Sequence, residues 1–344
     1  MFGLGLRMAE AGFVPDPLVR AVTRQLLRAR LRESVLGDSD ARAREESRLI
    51  ARLSEGPIAI SVDAANAQHY QVPPAFFERV LGPRLKYSSG FWDSNARNLA
   101  DAEEAMLTLT ASRAGIEDGM RVLDLGCGWG SFALWAAEHY PNAEILAVSN
   151  SSSQRTHILS VAAERGLGNL EVETSDINDF EPGRAFDRIV SIEMMEHVRN
   201  HRLLFHRLAS WLAPGGSAFA HIFCHRSRAY TYENDDPSDW MARTFFTGGM
   251  MPSETLFHHY QDDLVLRDQW RVSGVHYHRT CEAWLRRLDC NRDEVLPILR
   301  DVYGSEARLW FHRWRLFFIA CSELFAYDAG AEWFVAHYRW ERRV

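Results

Sequence analysis

The chain has 344 residues, of which 47% are hydrophobic and 25% are charged, so it can bury a large core and is not expected to be disordered. Its net charge of -7 and its lack of a basic run interleaved with aromatic residues argue against a nucleic acid partner. Its five cysteines form no CxxC pair, and no apolar run reaches the roughly 20 residues of a membrane span, so we expect a cytoplasmic protein without stable membrane insertion and without a metal site.

The first part of the chain, residues 1–110, is predicted to be mainly helical. Between residues 16 and 53, apolar side chains recur at i, i+3 and i+4 with arginines and acidic residues opposite them, which is typical of amphipathic helices. Residues 68–95 are polar and aromatic by turns, and Pro73 and Pro74 interrupt regular structure there. We expect this segment to form a strap or lid, followed by a helix in "DAEEAMLTLTASRAGI".

The middle of the chain, residues 111–225, has the pattern of an α/β fold. Five runs rich in β-branched residues, from "RVLDL" to "SAFAHIF", alternate with helical stretches such as "SFALWAAEHY" and "RLLFHRLASWLAPGG". This alternation predicts a parallel sheet with helices on both faces. Ligands of such sheets bind beyond the carboxyl ends of the strands.

The last part, residues 226–344, is predicted to complete the substrate site. It begins with a long polar and aromatic insertion and continues with a late strand in "LVLRDQWRV". We interpret the aromatic-rich tail from residue 293 to the end as helices.

A glycine turn, "DLGCGWGS", follows the first predicted strand. Gly126, Gly128 and Gly130 have the spacing G-x-G-x-G, one residue short of the sequence that places a pyrophosphate at a helix N-terminus. Two glycines still let a ligand approach the bare backbone, and Asp124 supplies a carboxylate for a positively charged group. S-adenosylmethionine, which has a sulfonium, an ammonium and no phosphate, fits this turn better than a dinucleotide.

Polar residues after the next two strands extend the cofactor site. Asp176 follows the third strand, where its carboxylate can accept a hydrogen bond from an adenine amino group. The second strand lacks the acidic residue that usually binds ribose hydroxyls, so Asn150 or Gln154 would bind them through neutral hydrogen bonds. The alternative is that these residues only cap helices or lie in loops, and residues 151–153 are good caps.

These motifs follow one another as they do in a known family. The relevant segments are "YSSGFW", "LDLGCGWGS", "SIEMMEHV", "HIFCHR", "WMARTFFTGGMMPS", "HYHRTCEAW" and "FFIACSELFAYDAGAEWFVAHY". From the strap to the C-terminus the chain resembles the cyclopropane fatty acid synthase-like methyltransferases, and within them the branch of coclaurine and related benzylisoquinoline N-methyltransferases. The resemblance implies a Rossmann-like methyltransferase core with a helical cap, S-adenosylmethionine as methyl donor and S-adenosylhomocysteine as product. We also assign Tyr87, Ser88 and Ile177 to the cofactor site.

The candidate catalytic residues are Glu193, Glu196 and His197 of "SIEMMEHV", just after the fourth strand. Methyl transfer to an amine is an in-line displacement, and an alkylammonium with a pKa of about 10 must lose a proton before its nitrogen can attack. A carboxylate and an imidazole at the ligand edge can share that task. The resemblance places the amine-facing pair at Glu193 and His197, whereas the structural alternative is that Glu196 and His197 only open a helix.

Aromatic residues of the strap and the tail are candidates for the acceptor site. Tyr87, Phe91, Phe325 and Trp333 can present their π faces to an ammonium or stack on an aromatic ring. Aromatic residues at helical spacing are more often core residues, so we expect only a minority of the aromatic residues here, chiefly Phe325, Trp333 and Tyr87, to line the site.

A second function uses the same scaffold. In cyclopropane synthases the methyl group adds to a lipid alkene, and a bound bicarbonate then removes a proton. By resemblance, the positions that hold this anion match Ser89, Glu196, His221, Ile222 or Phe223, and Tyr277. The family usually has a cysteine where this chain has Ser89, although a hydroxyl can still donate a hydrogen bond.

We therefore predict an S-adenosylmethionine-dependent N-methyltransferase that acts on a small cyclic or aromatic amine. The alternative is cyclopropane-type C-methylation of unsaturated lipid acyl chains. A third hypothesis is a degenerate methyltransferase that serves as a scaffold, but such a fold has no need of carboxylates at its strand ends. The pattern indicates neither the physiological acceptor nor the oligomeric state, and a homodimer is compatible with it.

Overall fold

The computed structural model describes residues 2–35, 39–60, 72–232 and 240–343. Parts of the predicted N-terminal helices, strap and insertion therefore lie outside the described residues, namely 36–38, 68–71 and 233–239.

Helices precede the sheet, as predicted. They are α1 (Phe2–Glu10), α2 (Asp16–Val35), α3 (Ser39–Arg52), α4 (Pro74–Val80) and α5 (Leu99–Ala114). The two prolines of the strap start a helix, because Pro74 occupies a first-turn position where its missing N–H is not needed. The side chain of Asn98 caps the start of α5, and Gly115, with a φ of +68°, ends it in the left-handed conformation.

A seven-stranded mixed sheet forms the centre of the molecule. Together with a separate two-stranded sheet, it contains the following strands in chain order: β1 (Arg121–Leu125), β2 (Glu144–Ser149), β3 (Leu170–Thr174), β4 (Phe186–Ile192), β5 (Leu212–His225), β6 (Tyr230–Thr231), β7 (Met250–Met251), β8 (Leu264–Val272) and β9 (Trp333–Arg342). The order across the large sheet is β3-β2-β1-β4-β5-β9-β8, and β6 pairs with β7 separately. β1 to β5 run parallel, β9 is antiparallel to β5, and β8 is antiparallel to β9.

The helices between and after the strands are α6 (Ser131–His139), α7 (Ser152–Arg165), α8 (His201–Trp211), α9 (Trp240–Thr244), α10 (Gly274–Cys290), α11 (Arg292–Tyr303) and α12 (Ala307–Ala326). The predicted alternation of strands and helices is confirmed. Ser151 caps α7 by accepting the N–H of Gln154, as its position suggested. α8 ends earlier than expected, at Trp211, because "LAPGG" already belongs to β5.

The predicted helical tail is wrong in its last stretch. Residues "WFVAHYRWER" form β9, which inserts between β5 and β8. Seven of its ten residues, those at positions 333–338 and 340, are buried, so the strand lacks the polar-apolar alternation that would have distinguished it from a buried helix. Burial of Phe334 and Val335 stabilises this placement by about 1.5–3 kcal/mol per side chain.

Apolar clusters join the helices to the sheet. One face packs against α5, α6 and α7, and the other packs against α3 and α8. A third cluster joins the strap to α4, α10, α11 and α12. α2 packs on α12 through ion pairs such as Arg20 with Glu323 at 3.0 Å, so the N-terminal layer lies on the C-terminal cap. In the described ranges no helix is both long and apolar enough to span a bilayer.

Candidate active site

The glycine turn leads from β1 into α6. Gly126 and Gly128 have φ angles of +83° and +53°, which disfavour residues with side chains. A Cβ atom at Gly126 would lie 2.6 Å from Cγ of Met194, so the turn packs closely on the loop after β4. A Cβ atom at Gly128 would meet no described atom within 4 Å, so this glycine borders open space.

A cleft opens at the carboxyl ends of β1, β2, β3 and β4, where parallel sheets bind their ligands. Eight of the predicted site residues line it: Gly126, Gly128, Asn150, Gln154, Asp176, Ile177, Glu193 and His197. Most of the predicted cofactor residues and two of the predicted catalytic residues therefore share one cavity.

Two buried polar atoms next to this cleft have no hydrogen-bond partner among the described residues: Oδ2 of Asp124 and Nε2 of Gln154. Each of these residues is only 1% exposed. Burial raises the pKa of Asp124 to about 7, against the opposing effects of the Ala133 N–H and of Lys86. A buried polar group without a partner costs about 1–3 kcal/mol, so both atoms are well suited to bind a polar ligand.

Glu193 follows β4 in a conformation that is rare for a residue with a side chain. Its φ is +48°, which costs on the order of 1–3 kcal/mol, and its N–H donates to the carbonyl oxygen of His221 at 2.8 Å. Three groups surround the carboxylate. The backbone nitrogen of Ser89 lies 3.3 Å from Oε1, Nε2 of His221 lies 3.2 Å from Oε1, and the hydroxyl oxygen of Tyr277 lies 2.6 Å from Oε2. The structure thus brings together four residues from separate motifs.

The two acidic residues of "EMMEH" differ in their surroundings. Burial raises the pKa of Glu193 to about 7, although Tyr277, Lys86 and Ser89 favour its ionised form. Burial and the nearby Glu193 raise the pKa of Glu196 well above its usual range, and Oε2 of Glu196 has no partner within the described part of the chain. Two adjacent buried carboxyl groups do not both ionise at neutral pH. Of the two, Glu193 lines the cleft and can exchange a proton there.

The strap contributes a buried lysine that we did not predict. Lys86 is 1% exposed, its Nζ donates to Oγ of Ser88, and its charge interacts with Glu193, Glu103 and Asp124. Burial lowers its pKa to about 8. The sequence did contain a signal, because Lys86 is the one lysine among 39 lysine and arginine residues. This position alone uses a compact ammonium in place of a guanidinium.

A chain of ring contacts, which we call the aromatic wall, begins at His197 in the cleft and ends at Tyr277, which binds Glu193. Its members are His197, Phe246, Phe223, Phe325 and Tyr277. The ring centroid of Phe246 lies 4.8 Å from that of His197 and 5.8 Å from that of Phe223. Phe325 contacts Phe223 at 6.3 Å and stacks on Tyr277 at 4.3 Å. Such a wall can stack on a ring or face a cation.

Phe91, Phe325 and Trp333, all predicted to bind substrate, are not among the residues that line the cleft. Phe91 stacks on His276 at 4.5 Å and faces an outer groove. Trp333 is fully buried, with its ring against His225 and Tyr327.

Tyr87 and Ser88, predicted to bind the cofactor, lie in the strap and are not among the residues that line the cleft. The ring of Tyr87 packs between Phe77 and Trp284 at 5.5 and 5.6 Å. Ser88 is buried and accepts the hydrogen bond from Lys86.

Comparison with known proteins connects this geometry to a family. The family model described as mycolic acid cyclopropane synthetase matches residues 60–331. The chain belongs to that family. The (S)-coclaurine N-methyltransferase of Thalictrum flavum subsp. glaucum is 35% identical over 343 residues, which cover 98% of this chain and 95% of that protein. The cyclopropane-fatty-acyl-phospholipid synthase of Escherichia coli (strain K12) is 31% identical over 251 residues, which cover 71% of this chain and 60% of that protein.

Comparison of the structure with solved structures supports the same family relationship. A crystal structure of coclaurine N-methyltransferase bound to N-methylheliamine and SAH matches this structure with a TM-score of 0.94 and 35% identity, over 98% of each chain. This member of the mycolic acid cyclopropane synthetase family is an S-adenosylmethionine-dependent methyltransferase of the N-methyltransferase type.

The cleft fits S-adenosylmethionine. The glycine turn is open, and Oδ2 of Asp124 and Nε2 of Gln154 have no partner in the part of the chain that the structure describes. These groups can bind a cationic ligand with several hydroxyl groups. Among the described residues, no three His, Cys, Asp or Glu side chains are grouped so that they could hold a metal ion.

Proposed function

We propose that the chain transfers the methyl group of S-adenosylmethionine to the nitrogen of a small cyclic or aromatic amine, with Glu193 as the base. The observation that carries the proposal is the buried carboxylate of Glu193. It lines the cleft of the glycine turn, three polar groups orient it, and its pKa is about 7.

The relatives support an amine acceptor. The similar structure with a TM-score of 0.94 contains N-methylheliamine, and the similar protein from Thalictrum is named for coclaurine. Both similarities extend over nearly the whole chain, including the cap that supplies Tyr277 and Phe325.

The cofactor is assigned to the wall of the cleft formed by the ends of β1, β2 and β3. We place a positive charge of the cofactor near Asp124, its ribose near Asn150 and Gln154, and its adenine near Asp176. Oδ1 of Asp176 accepts the N–H of Asn178 at 2.8 Å, which holds this carboxylate at the cleft. When bound, S-adenosylmethionine supplies an electrophilic methyl group on a sulfonium.

Glu193 removes the proton that the reaction must release. The alkylammonium first passes one proton to Glu193, and the freed nitrogen lone pair then forms the bond to the methyl carbon as the bond from carbon to sulfur breaks. An alkylammonium with a pKa of about 10 is about three units above Glu193, so this transfer is uphill by about 4 kcal/mol in water. Burial of the amine in the cleft lowers its own pKa and reduces that difference.

His197 and the aromatic wall position the acceptor. His197 lines the same cleft as Glu193, and its ring packs on Phe246. We assign His197 the role of a second polar contact for the amine and Phe325 that of a stacking surface. Correct placement of the nitrogen against the methyl carbon supplies most of the rate enhancement in such displacements.

The cyclopropane-type alternative is less well supported. The groups that would hold bicarbonate, Ser89, His221 and Tyr277, surround the carboxylate of Glu193 instead. The hydroxyl of Ser89 donates to the carbonyl oxygen of Gly90 at 3.0 Å, so only its backbone N–H faces Glu193. A second anion beside this carboxylate would be repelled, whereas an ammonium pairs with it.

The test is a methyl-transfer assay with labelled S-adenosylmethionine. The purified chain is given cyclic secondary amines, tetrahydroisoquinolines among them, and in parallel vesicles of unsaturated phospholipid. We expect label in the amines and none in the lipid. Label only in the lipid would establish the cyclopropane-type function, and label in neither acceptor together with no cofactor binding would support a scaffold.

A further inference from the structure

Behind Glu193, a row of buried side chains crosses the sheet. His221 on β5 pairs with His337 on β9, and Nδ1 of His221 lies 2.9 Å from Nε2 of His337. Nδ1 of His337 lies 2.9 Å from a terminal nitrogen of Arg113, in the last turn of α5. The guanidinium of Arg113 lies 5.0 Å over the ring of Trp270, which pairs with His337 from β8. The row therefore connects Glu193 to a cation on the far side of two imidazoles.

The end of this row determines the direction of every hydrogen bond in it. A guanidinium only donates hydrogen bonds and does not lose its proton in proteins, so Nδ1 of His337 must accept from Arg113. The proton of a neutral His337 is then on Nε2, from which it is donated to Nδ1 of His221. The proton of His221 is in turn on Nε2, which faces Oε1 of Glu193.

Both imidazoles are kept neutral. His221 and His337 are at most 1% exposed, and burial, with the charges of Lys86 and Arg113, lowers the pKa of each well below its usual range. A protonated His337 would also direct an N–H at the guanidinium of Arg113. Each histidine therefore has one proton, and only one arrangement of the two satisfies all three contacts.

We propose that Arg113 and His337 are positioning residues that fix the tautomer of His221, so that His221 donates to Glu193 and favours the ionised form of this carboxylate. This role presupposes the proposed function, because it takes Glu193 as the base. It also means that the row does not conduct protons away from the site, since Arg113 cannot accept one. The proton taken up by Glu193 must leave through the cleft.

Other charged or titratable groups interact with the carboxylate of Glu193 and also affect its pKa. They are Lys86 from the strap, Glu196 from the turn after β4, Tyr277 and Cys281 from α10, and Cys321 from α12. None of them contacts Arg113, so substitutions at Arg113 leave them in place.

The first test observes the tautomers directly. Nitrogen-15 NMR of the full chain, labelled at histidine, is recorded at neutral pH, and the two signals are assigned by their loss in His221→Phe and His337→Phe. We expect both imidazoles to be neutral with the proton on Nε2. A proton on Nδ1 of either ring, or an imidazolium, would overturn the proposal. This result does not depend on any acceptor, so it distinguishes failure here from failure of the proposed function.

The second test measures kcat against pH for Arg113→Met, Arg113→Lys and a control, Arg339→Met. Arg339 lies two residues from His337 on β9 and pairs with Asp268, so the control removes one positive charge near the row without touching it. We expect Arg113→Met to raise the apparent pKa of the acidic limb by about one unit, which lowers kcat about tenfold below that limb. Arg113→Lys should restore most of the loss, and Arg339→Met should change little.

Two results of the kinetic test contradict the proposal. One is an unchanged limb in Arg113→Met, and the other is an equal shift in Arg339→Met, which would show a general effect of charge. Binding of S-adenosylhomocysteine and thermal unfolding confirm that each variant is folded. If Arg113→Met does not fold, the NMR measurement on the unaltered chain decides.

Discussion

The hydroxyl of Tyr277 donates a hydrogen bond of 2.6 Å to Oε2 of Glu193, and so joins α10 of the cap to the end of β4. The two residues are 84 positions apart in the chain. The base of the proposed reaction is thus oriented by a segment that has no local relationship to the glycine turn. The cap also supplies two rings of the aromatic wall, those of Tyr277 and Phe325.

Replacement of Glu193 tests its role as the base. Glu193→Gln keeps the shape of the side chain but cannot accept a proton, so we expect kcat to fall by about 10²–10⁴-fold, the usual contribution of general acid-base catalysis. Binding of S-adenosylhomocysteine, measured by calorimetry, should change little. Turnover close to that of the unaltered chain would show that another group takes the proton.

Tyr277→Phe should shift the pH dependence and not abolish activity. A hydrogen bond to a charged group contributes about 1.5–3 kcal/mol, so its loss should raise the pKa of Glu193 by about 1–2 units. A base with a raised pKa is less ionised below that value, so kcat should fall at low pH and recover at high pH. Tyr303→Phe, whose ring stacks on Trp310 in the cap, is the matched control. A uniform loss at every pH would instead indicate misplacement of the acceptor.

Lys86 should tolerate neither loss of its charge nor an increase in size. Its ammonium favours the ionised form of Glu193, so Lys86→Met should raise the pKa of Glu193 and lower kcat below neutral pH. Lys86→Arg keeps the charge but overfills a site that is 1% exposed, at a cost of about 1–3 kcal/mol in the free energy of unfolding. Thermal unfolding and pH profiles measure the two effects. An arginine variant as stable as the unaltered chain would mean that the size of the lysine is not required.

Affinity for S-adenosylmethionine should depend on the ionisation of Asp124. The pKa of Asp124 is raised to about 7, so this carboxyl becomes neutral as the pH falls through 7 and attracts a cation less strongly. We expect calorimetry to show weaker binding below that pH and a flat, weak profile for Asp124→Asn. Asp118→Asn, a change at an exposed residue bonded to Asn142, should bind normally. Binding by Asp124→Asn that matches the unaltered chain would contradict the assignment.

Alanine substitutions at the two glycines of the turn should differ in their effect on stability. Gly126→Ala would place a Cβ atom 2.6 Å from Met194, so we expect a lower midpoint of thermal unfolding as well as lost cofactor binding. Gly128→Ala meets no described atom within 4 Å and pays only for its left-handed backbone, about 1–2 kcal/mol, so the fold should persist while cofactor binding weakens. Equal loss of stability in both variants would contradict this distinction.

Much of the site could be predicted because its signals are local. The turn around Gly126, the polar residues after β2 and β3, and Glu193 after β4 each follow a strand, and a parallel sheet brings strand ends to one edge. The predicted roles of these residues remain predictions, but their shared cleft follows directly from the topology.

The tertiary structure decided what depends on distant partners. Lys86 is the one lysine of the chain, but the sequence does not show that the strap buries it beside Glu103 and Glu193. Phe246 joins the aromatic wall because the segment before β7 brings its ring centroid to 4.8 Å from that of His197.

The alternation of strands and helices, and with it the α/β fold and the glycine turn, was determined by the sequence alone, because period and turn chemistry act over a few residues. The tail strand β9 was not, because a strand buried on both faces has no polar alternation to mark it. Its placement next to β5 brings His337 against His221 across 116 positions and so completes the row that ends at Arg113. Contacts over such distances are set by the packing of the whole sheet, which no local pattern encodes.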